Sequence, residues 1–395
     1  MSRRLSLEPG LDYNESMTSS PGLIVEVPAE RSKRTLLTAV CLCGVILSGC
    51  SAESPEQLHR RALVAGTAGD YAGATRLLDR VIESAPTAEA YNNRGYCHLK
   101  SGRLDRAIAD YNKTLELEPD RAKALFHRGV ARQLRGDLED AVKDFGRVIE
   151  LDPNYPQIRS TRAAAYAEMG DYGYAIIDYT RQIESDPTDA DAYFNRGYCR
   201  LEMGEAASAL ADLSRAIELS PADAESHHAR GRAYAKLDQH DRAIRDFNKA
   251  LEINPNLAGS YNNRGLSRQA IGENDRAIAD FTEAVTADPG YARAYFNRGV
   301  TYGRLGDDDR AVADFSRAIE IDPQYAKAYH NRAVAYFAKG EYAKSLEDAQ
   351  RAKQLGSPIQ QDFLDALLAE APSAASQEEG SQGVTSVTAP PAAGE

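Results

Sequence analysis

Arginine and aspartate recur sixteen residues apart through most of this chain: Arg94 with Asp110, Arg128 with Asp144, Arg162 with Asp178, Arg196 with Asp212, Arg230 with Asp246, Arg264 with Asp280, Arg298 with Asp314 and Arg332 with Asp348. A guanidinium beside a carboxylate can do acid-base work in a cleft. Repetition of the same pair along the chain instead reads as an ion-pair framework. Arg61 has Leu77 sixteen residues later, so the first copy lacks its acid. The histidines His59, His98, His127, His227, His228, His240 and His330 lack metal-ligand spacing with the cysteines or with one another. There is no Gly-rich phosphate loop, nucleophile elbow or HExxH motif. No catalysis, metal, cofactor or small-molecule substrate is therefore expected.

Sixteen residues carry a chain along one helix, round a turn and onto the facing side of a second helix. The prolines give the larger period: Pro86, Pro119, Pro153, Pro187, Pro221, Pro255, Pro289 and Pro323 follow one another at 34 residues, with one step of 33. A fixed period of this length marks stacked supersecondary units rather than a chain folded round one cleft. Ala74, Ala107 and their counterparts through Ala311 stand twelve residues before each proline, and twelve further upstream stand Gly95, Gly129, Gly197, Gly231, Gly265 and Gly299, with Ala62, Ala163 and Ala333 in the same slot. Glycine inside a helix costs roughly 1 kcal/mol relative to alanine, so its recurrence predicts backbones pressed together there. Ala90 to Pro119, AYNNRGYCHLKSGRLDRAIADYNKTLELEP, reads as helix, turn around Gly102, second helix and proline stop.

This pattern resembles the tetratricopeptide (TPR) repeat. The resemblance implies an all-α protein, a right-handed α-solenoid of helix-turn-helix units. Nine units are placed over residues 55–357, beginning near Pro55, Ala88, Ala122, Pro156, Ala190, Ala224, Ala258, Ala292 and Ala326, with worn first and last copies. Residues 358–370 follow, where Ile359, Phe363, Leu364, Leu367 and Leu368 at helical spacing predict a capping helix. Residues 371–395, rich in Ala, Ser, Pro, Gly and Glu, cannot bury a core and are expected to be disordered.

In TPR families an outward stripe of each first helix lines a concave groove that holds partner segments. Carried onto this sequence, that places Asn93, Asn195, Asn263, Asn297 and Asn331 at one slot, Tyr96 and Tyr198 one turn later, and Phe126, Phe194 and Phe296 beside it. Asparagine offers donors and an acceptor to the backbone of an extended peptide, or braces the stack itself. Members that grip chaperone C-termini carry lysine three positions before the repeated glycine. Here that slot holds Asn92, Phe126, Ser160, Phe194, His228, Asn262, Phe296 and His330, which argues against such recognition.

The leader, residues 1–50, carries a separate signal. Arg31, Lys33 and Arg34 precede an apolar run from Leu36 to Leu47, closed by Leu47-Ser48-Gly49-Cys50. The run falls short of the roughly 20 residues a bilayer span needs and suits a secretory signal. Its ending resembles a bacterial lipobox, which implies lipidation of Cys50, cleavage before it, and a short linker over residues 51–54. Ser51 after the cysteine implies transport to the outer membrane, facing the periplasm. The acidic stretch before Arg31 departs from an ordinary signal start, and a translation start at Met17 would shorten it. The alternative is a soluble cytoplasmic adaptor or regulatory protein.

Composition narrows the partners. Net charge is −12, from 47 basic and 59 acidic residues, which leaves no electrostatic footprint for nucleic acid. The chain has no tryptophan, and among its 21 tyrosines Tyr91, Tyr193, Tyr261, Tyr295 and Tyr329 share one expected packing slot. Cys97 and Cys199 fall in one helix slot three repeats apart and are expected to be small buried hydrophobes rather than a disulfide. The sequence thus predicts a non-catalytic scaffold, tethered to a membrane through Cys50. Its partners would be other proteins, envelope enzymes or assembly machinery.

Overall fold

The computed structural model describes residues 53–361 and 363–370, and its regular elements there are helices. Cys50, the leader, Ser51 and Ala52 of the linker, and the tail 371–395 lie outside the described residues. The chain divides into two compact units between Ser185 and Asp186. In the first, helices pair as α1 (Pro55–Thr67) with α2 (Tyr71–Ser84), α3 (Ala88–Lys100) with α4 (Leu104–Leu117), α5 (Ala122–Arg135) with α6 (Leu138–Leu151), and α7 (Ile158–Met169) with α8 (Tyr172–Ser185). The second pairs α9 (Ala190–Glu202) with α10 (Ala206–Leu219), α11 (Ala224–Lys236) with α12 (His240–Ile253), α13 (Ala258–Ala270) with α14 (Asn274–Ala287), α15 (Ala292–Arg304) with α16 (Asp308–Ile321), and α17 (Ala326–Ala338) with α18 (Tyr342–Gln354). Within a unit each second helix also packs on the first helix of the next hairpin, so the hairpins stack.

The punctuation follows from backbone chemistry. Proline has no N–H to donate and pushes its predecessor out of the helical region. Glu118, Asp152, Ser220, Asn254, Asp288 and Asp322, each just before a proline, accordingly close their helices at φ between −127° and −141°. The turn inside each hairpin uses a left-handed residue, glycine in most copies, such as Gly272 at φ 83°. The α11–α12 hairpin departs from this: Asp238 takes the place of glycine at φ 57°.

The repeated glycine of the first helix serves a different purpose from the one its recurrence suggests. What presses on it is a side chain of the second helix sixteen residues on, an aromatic ring in five copies and Leu213 at Gly197, and not another backbone. A Cβ on Gly265 would lie 2.7 Å from Phe281, and one on Gly129 2.5 Å from Phe145; Gly95, Gly231 and Gly299 face Tyr111, Phe247 and Phe315 in the same way. Where alanine replaces glycine, the opposite residue is smaller in two copies: Ala62 shares its core cluster with Leu78, and Ala333 with Ala349. Residues 361 and 363–370 are helical after α18, and Leu364 and Leu367 pack against Ala333 and Ala349. Leu368, on the same predicted stripe, is exposed.

Candidate functional site

The arginine–aspartate pairs are present in all eight copies. Each guanidinium grips its partner through two bonds, Nε donating to one carboxylate oxygen and Nη2 to the other, at 2.6–3.0 Å. The aspartates are buried and the arginines are only partly open to solvent. Burial alone would push the Asp246 carboxyl up, but the two hydrogen bonds and the charge of Arg230 outweigh it and hold the group below the ordinary carboxylate range. The repeated tyrosines lie over these arginines one helical turn away, with Tyr261 5.4 Å from the Arg264 guanidinium and Tyr295 5.6 Å from that of Arg298. The tyrosine slot is thus half-buried and shields the ion pair from water.

The remaining nitrogen does something that the sixteen-residue pairing did not disclose. Nη1 reaches back to the second helix of the preceding hairpin: Arg128 to Asn112 at 2.8 Å, Arg264 to Asn248 at 2.6 Å, Arg298 to Thr282 at 3.0 Å, Arg332 to Ser316 at 2.9 Å, and Arg94 to Asp79 at 2.8 Å. One side chain therefore closes its own hairpin and joins it to its neighbour. A second spacing carried that signal, polar residue to arginine at sixteen residues, or fifteen for Asp79 and Arg94 where the period shortens by one. Extra donors crowd some of the aspartates, with Arg132 on Asp144 at 2.7 Å and Arg200 on Asp212 at 2.6 Å. At Asp110 the equivalent residue is His98, 3.8 Å from the carboxylate, and beside it a cavity of about 280 Å³ is lined by Thr75, Asp79, Arg94, His98 and Arg106.

The ladder ties up the repeated arginines and aspartates, which leaves the outward stripe of the first helices. The asparagines there are half-buried, and three of them are engaged within the stack. Asn93 Nδ2 lies 2.9 Å from His59 Nε2, Asn297 Nδ2 donates to Asn262 Oδ1 at 2.8 Å, and Asn263 accepts from Asn262 Nδ2 at 3.3 Å. Asn93 and Asn297 therefore brace neighbouring first helices. Asn195 and Asn331 are half-buried at the same slot. Tyr96 stands against His127 at 5.4 Å and under Lys100 Nζ at 5.5 Å, while Tyr198 lies 5.9 Å from the Arg232 guanidinium.

Two of the phenylalanines do not belong to a groove. Phe126 is 4% exposed and packs on Phe145 and Tyr155, and Phe194 is 6% exposed within the core of its unit. Their position, one residue before the asparagine slot, turns the side chain from the outward stripe toward the second helix, because successive helical residues lie about 100° apart. Phe296 is half-buried between Phe315 and Tyr325 at 5.8 and 5.0 Å. What remains open on the stripe in the second unit includes Leu266 and Val334, 38% and 46% exposed.

Two histidines, buried His127 and half-buried His228, are held neutral. Burial pushes His127 down to about 3 and His228 down to about 4, where His228 Nδ1 is 2.7 Å from Ser260 Oγ. Burial likewise pushes the Cys97 thiol up to about 11 and the Cys199 thiol up to about 12, and both cysteines are free. Among the described residues no three His, Cys, Asp or Glu side chains gather as a metal site, and no helix is long and apolar enough to cross a membrane.

Tetratricopeptide repeat models match residues 88–121, 122–155, 179–211, 224–257, 262–326 and 315–347, and a TPR repeat model matches 199–238. Together they cover more than half of the chain. Sperm-associated antigen 1 of Rattus norvegicus is 46% identical over 57 residues, 14% of this chain and 6% of that protein. The Protein SGT1 homolog of Oryza sativa subsp. japonica is 40% identical over 68 residues, 17% of this chain and 18% of that one. The chain thus spans less than a fifth of the length of these curated relatives. A crystal structure of a tetratricopeptide repeat protein from Parabacteroides merdae ATCC 43184 is similar at a TM-score of 0.50 and 22% identity, covering 63% of this chain and 98% of that one. At that identity the likeness concerns the fold.

Proposed function

Because this chain belongs to the tetratricopeptide repeat family, whose fold is typically a non-catalytic interaction scaffold, we propose that it holds segments of other proteins on the outward stripes of its first helices. One observation carries the reading. The repeated arginines and aspartates are tied into hairpin joints, while Tyr198, Leu266 and Val334 on the first helices are left partly open. A face built this way presents polar and apolar side chains for binding a partner segment.

In the same proposal the scaffold is anchored by a lipid on Cys50 and works at the bacterial envelope, on the periplasmic side of the outer membrane, where it gathers envelope enzymes or assembly machinery. The support is the Leu47-Ser48-Gly49-Cys50 ending behind a short apolar run and a basic patch. In-cell crosslinking of a C-terminally tagged protein, with fractionation of wild type and Cys50→Ala, tests both halves. The expected result is a membrane-bound wild type crosslinked to envelope proteins and a Cys50→Ala variant released from the membrane. A variant that stays with the membrane, or a wild type crosslinked only to cytosolic proteins, would overturn the anchoring.

A further inference from the structure

The first helices α13, α15 and α17 contain no aspartate or glutamate, in a chain with 59 acidic residues and a net charge of −12. Their partner helices α14, α16 and α18 carry the acids. Part of the positive charge on the first helices is already spent: Arg264, Arg298 and Arg332 hold Asp280, Asp314 and Asp348, and Arg268 reinforces Asp280 at 2.9 Å. Arg293, Arg304 and Lys327 are exposed and enter no ion pair among the described residues. Arg293, Val300 and Arg304 are spaced seven and four residues apart, as are Lys327 and Val334 by seven, which puts each set on one side of its helix. Leu266 occupies on α13 the place that Val300 and Val334 hold on α15 and α17. Since α13 touches α15 and α15 touches α17, these side chains form one continuous face.

We propose that this face docks an extended acidic segment of a partner protein, one in which Asp or Glu alternates with bulky apolar residues. The inference rests on the scaffold reading and names the partner's chemistry. Three unpaired cations on an otherwise acidic molecule attract such a segment and repel a basic one, and the surrounding negative charge makes the attraction local to this face. The exposed Leu266 and Val334 supply the apolar contact that charge alone does not give. The cations sit at places other than the lysine slot of the chaperone-tail clamp, which here holds Asn262, Phe296 and His330.

Two measurements on the full chain test this. The first is anisotropy titration of a fluorescein-labelled synthetic peptide repeating Glu-Glu-Leu-Gly, against a matched Lys-Lys-Leu-Gly peptide. The acidic peptide should bind and the basic one should not, with affinity falling as salt rises from about 50 to about 300 mM. The double variant R293E/K327E should weaken binding about tenfold or more. Both changes lie in first turns, where glutamate suits the helix dipole, and the neutral R293Q/K327Q pair, expected to fall in between, guards against misfolding. Equal binding of both peptides, or an unchanged double variant, overturns the proposal.

The second is photocrosslinking in cells with benzoylphenylalanine at position 266, and separately at position 134 of the first unit, with the captured peptide sequenced. An acidic segment at position 266 supports the proposal. Capture of neutral or basic segments at position 266, or capture only at 134, overturns it and leaves the scaffold reading standing. Capture of residues 371–395 of the chain itself assigns the face to its own tail and overturns it as well. No capture at either position defeats both readings.

Discussion

Gly265 and Phe281 occupy each other's space: a Cβ added to the glycine would lie 2.7 Å from the edge of the phenylalanine ring, which is itself fully buried. Gly265→Ala should therefore destabilise the second unit by about 1–3 kcal/mol, the cost of overpacking a filled core. Urea denaturation reads it. The double variant Gly265→Ala with Phe281→Ala recreates the Ala333 and Ala349 combination and should lose less than the sum of the single losses. Strict additivity would mean that ring and glycine do not share that space.

Arg230→Ala removes a guanidinium that closes its own hairpin on Asp246 at 2.7 and 2.8 Å and leaves that buried carboxylate stranded. The expected loss is about 2–3 kcal/mol, somewhat below the range for a fully buried pair because the arginine side chain keeps 20% of its exposure. Arg181→Ala breaks a solvent-exposed pair with Glu184 and should cost less than about 1 kcal/mol. Equal unfolding midpoints for the two variants would contradict the ladder.

His127 and His228 make stability depend on pH. Their folded values of about 3 and about 4 lie below the ordinary histidine value near 6.5, so the unfolded chain takes up protons that the folded chain refuses. Their contribution is complete above about pH 6.5 and declines as pH falls, by up to about 1.4 kcal/mol per pH unit for each histidine. Urea midpoints at about pH 7 and about pH 5 should show the drop. His127→Asn, which installs the residue found at Asn93 and Asn297, should flatten it for the first unit, followed by hydrogen exchange of α3 to α6 amides.

The raised thiols of Cys97 and Cys199 are almost wholly protonated at neutral pH and buried. Neither should react with iodoacetamide in the folded protein, and both should do so in urea. Labelling of either cysteine under native conditions would show that its hairpin opens.

Asp238 adopts a left-handed conformation that glycine takes without strain. Asp238→Gly should leave the second unit as stable or raise it by a few tenths of a kcal/mol, whereas Gly272→Ala, at φ 83°, should lower it by about 1 kcal/mol. Thermal unfolding of both variants checks the contrast.

The sequence disclosed those features that depend on spacing. Proline stops, the small-residue slots and the arginine–aspartate pairs all recur, and recurrence survives without knowing which atoms touch. The features it concealed depend on direction. Phe126 and Phe194 stand one residue from the outward stripe, and that rotation sends them into the core. The glycine slot looked like a meeting of backbones because composition cannot show that Phe281 or Phe145 is what arrives there. Nor could it show that asparagines such as Asn93 and Asn297 spend an amide on the neighbouring helix.

The backward reach of Nη1 has an evolutionary corollary. The acceptor on the preceding hairpin is Asn248 for Arg264 and Thr282 for Arg298, so the joint asks for a short oxygen-bearing side chain at the right register and not for a particular residue. Excising residues 258–291 would bring Arg298 to Asn248 in the place Arg264 held, with every bond type preserved. An array of this kind can lengthen or shorten by whole-repeat duplication or loss without new compensating mutations, and the 33-residue step before Pro119 shows the joint surviving a one-residue change, because Arg94 finds Asp79 fifteen residues back.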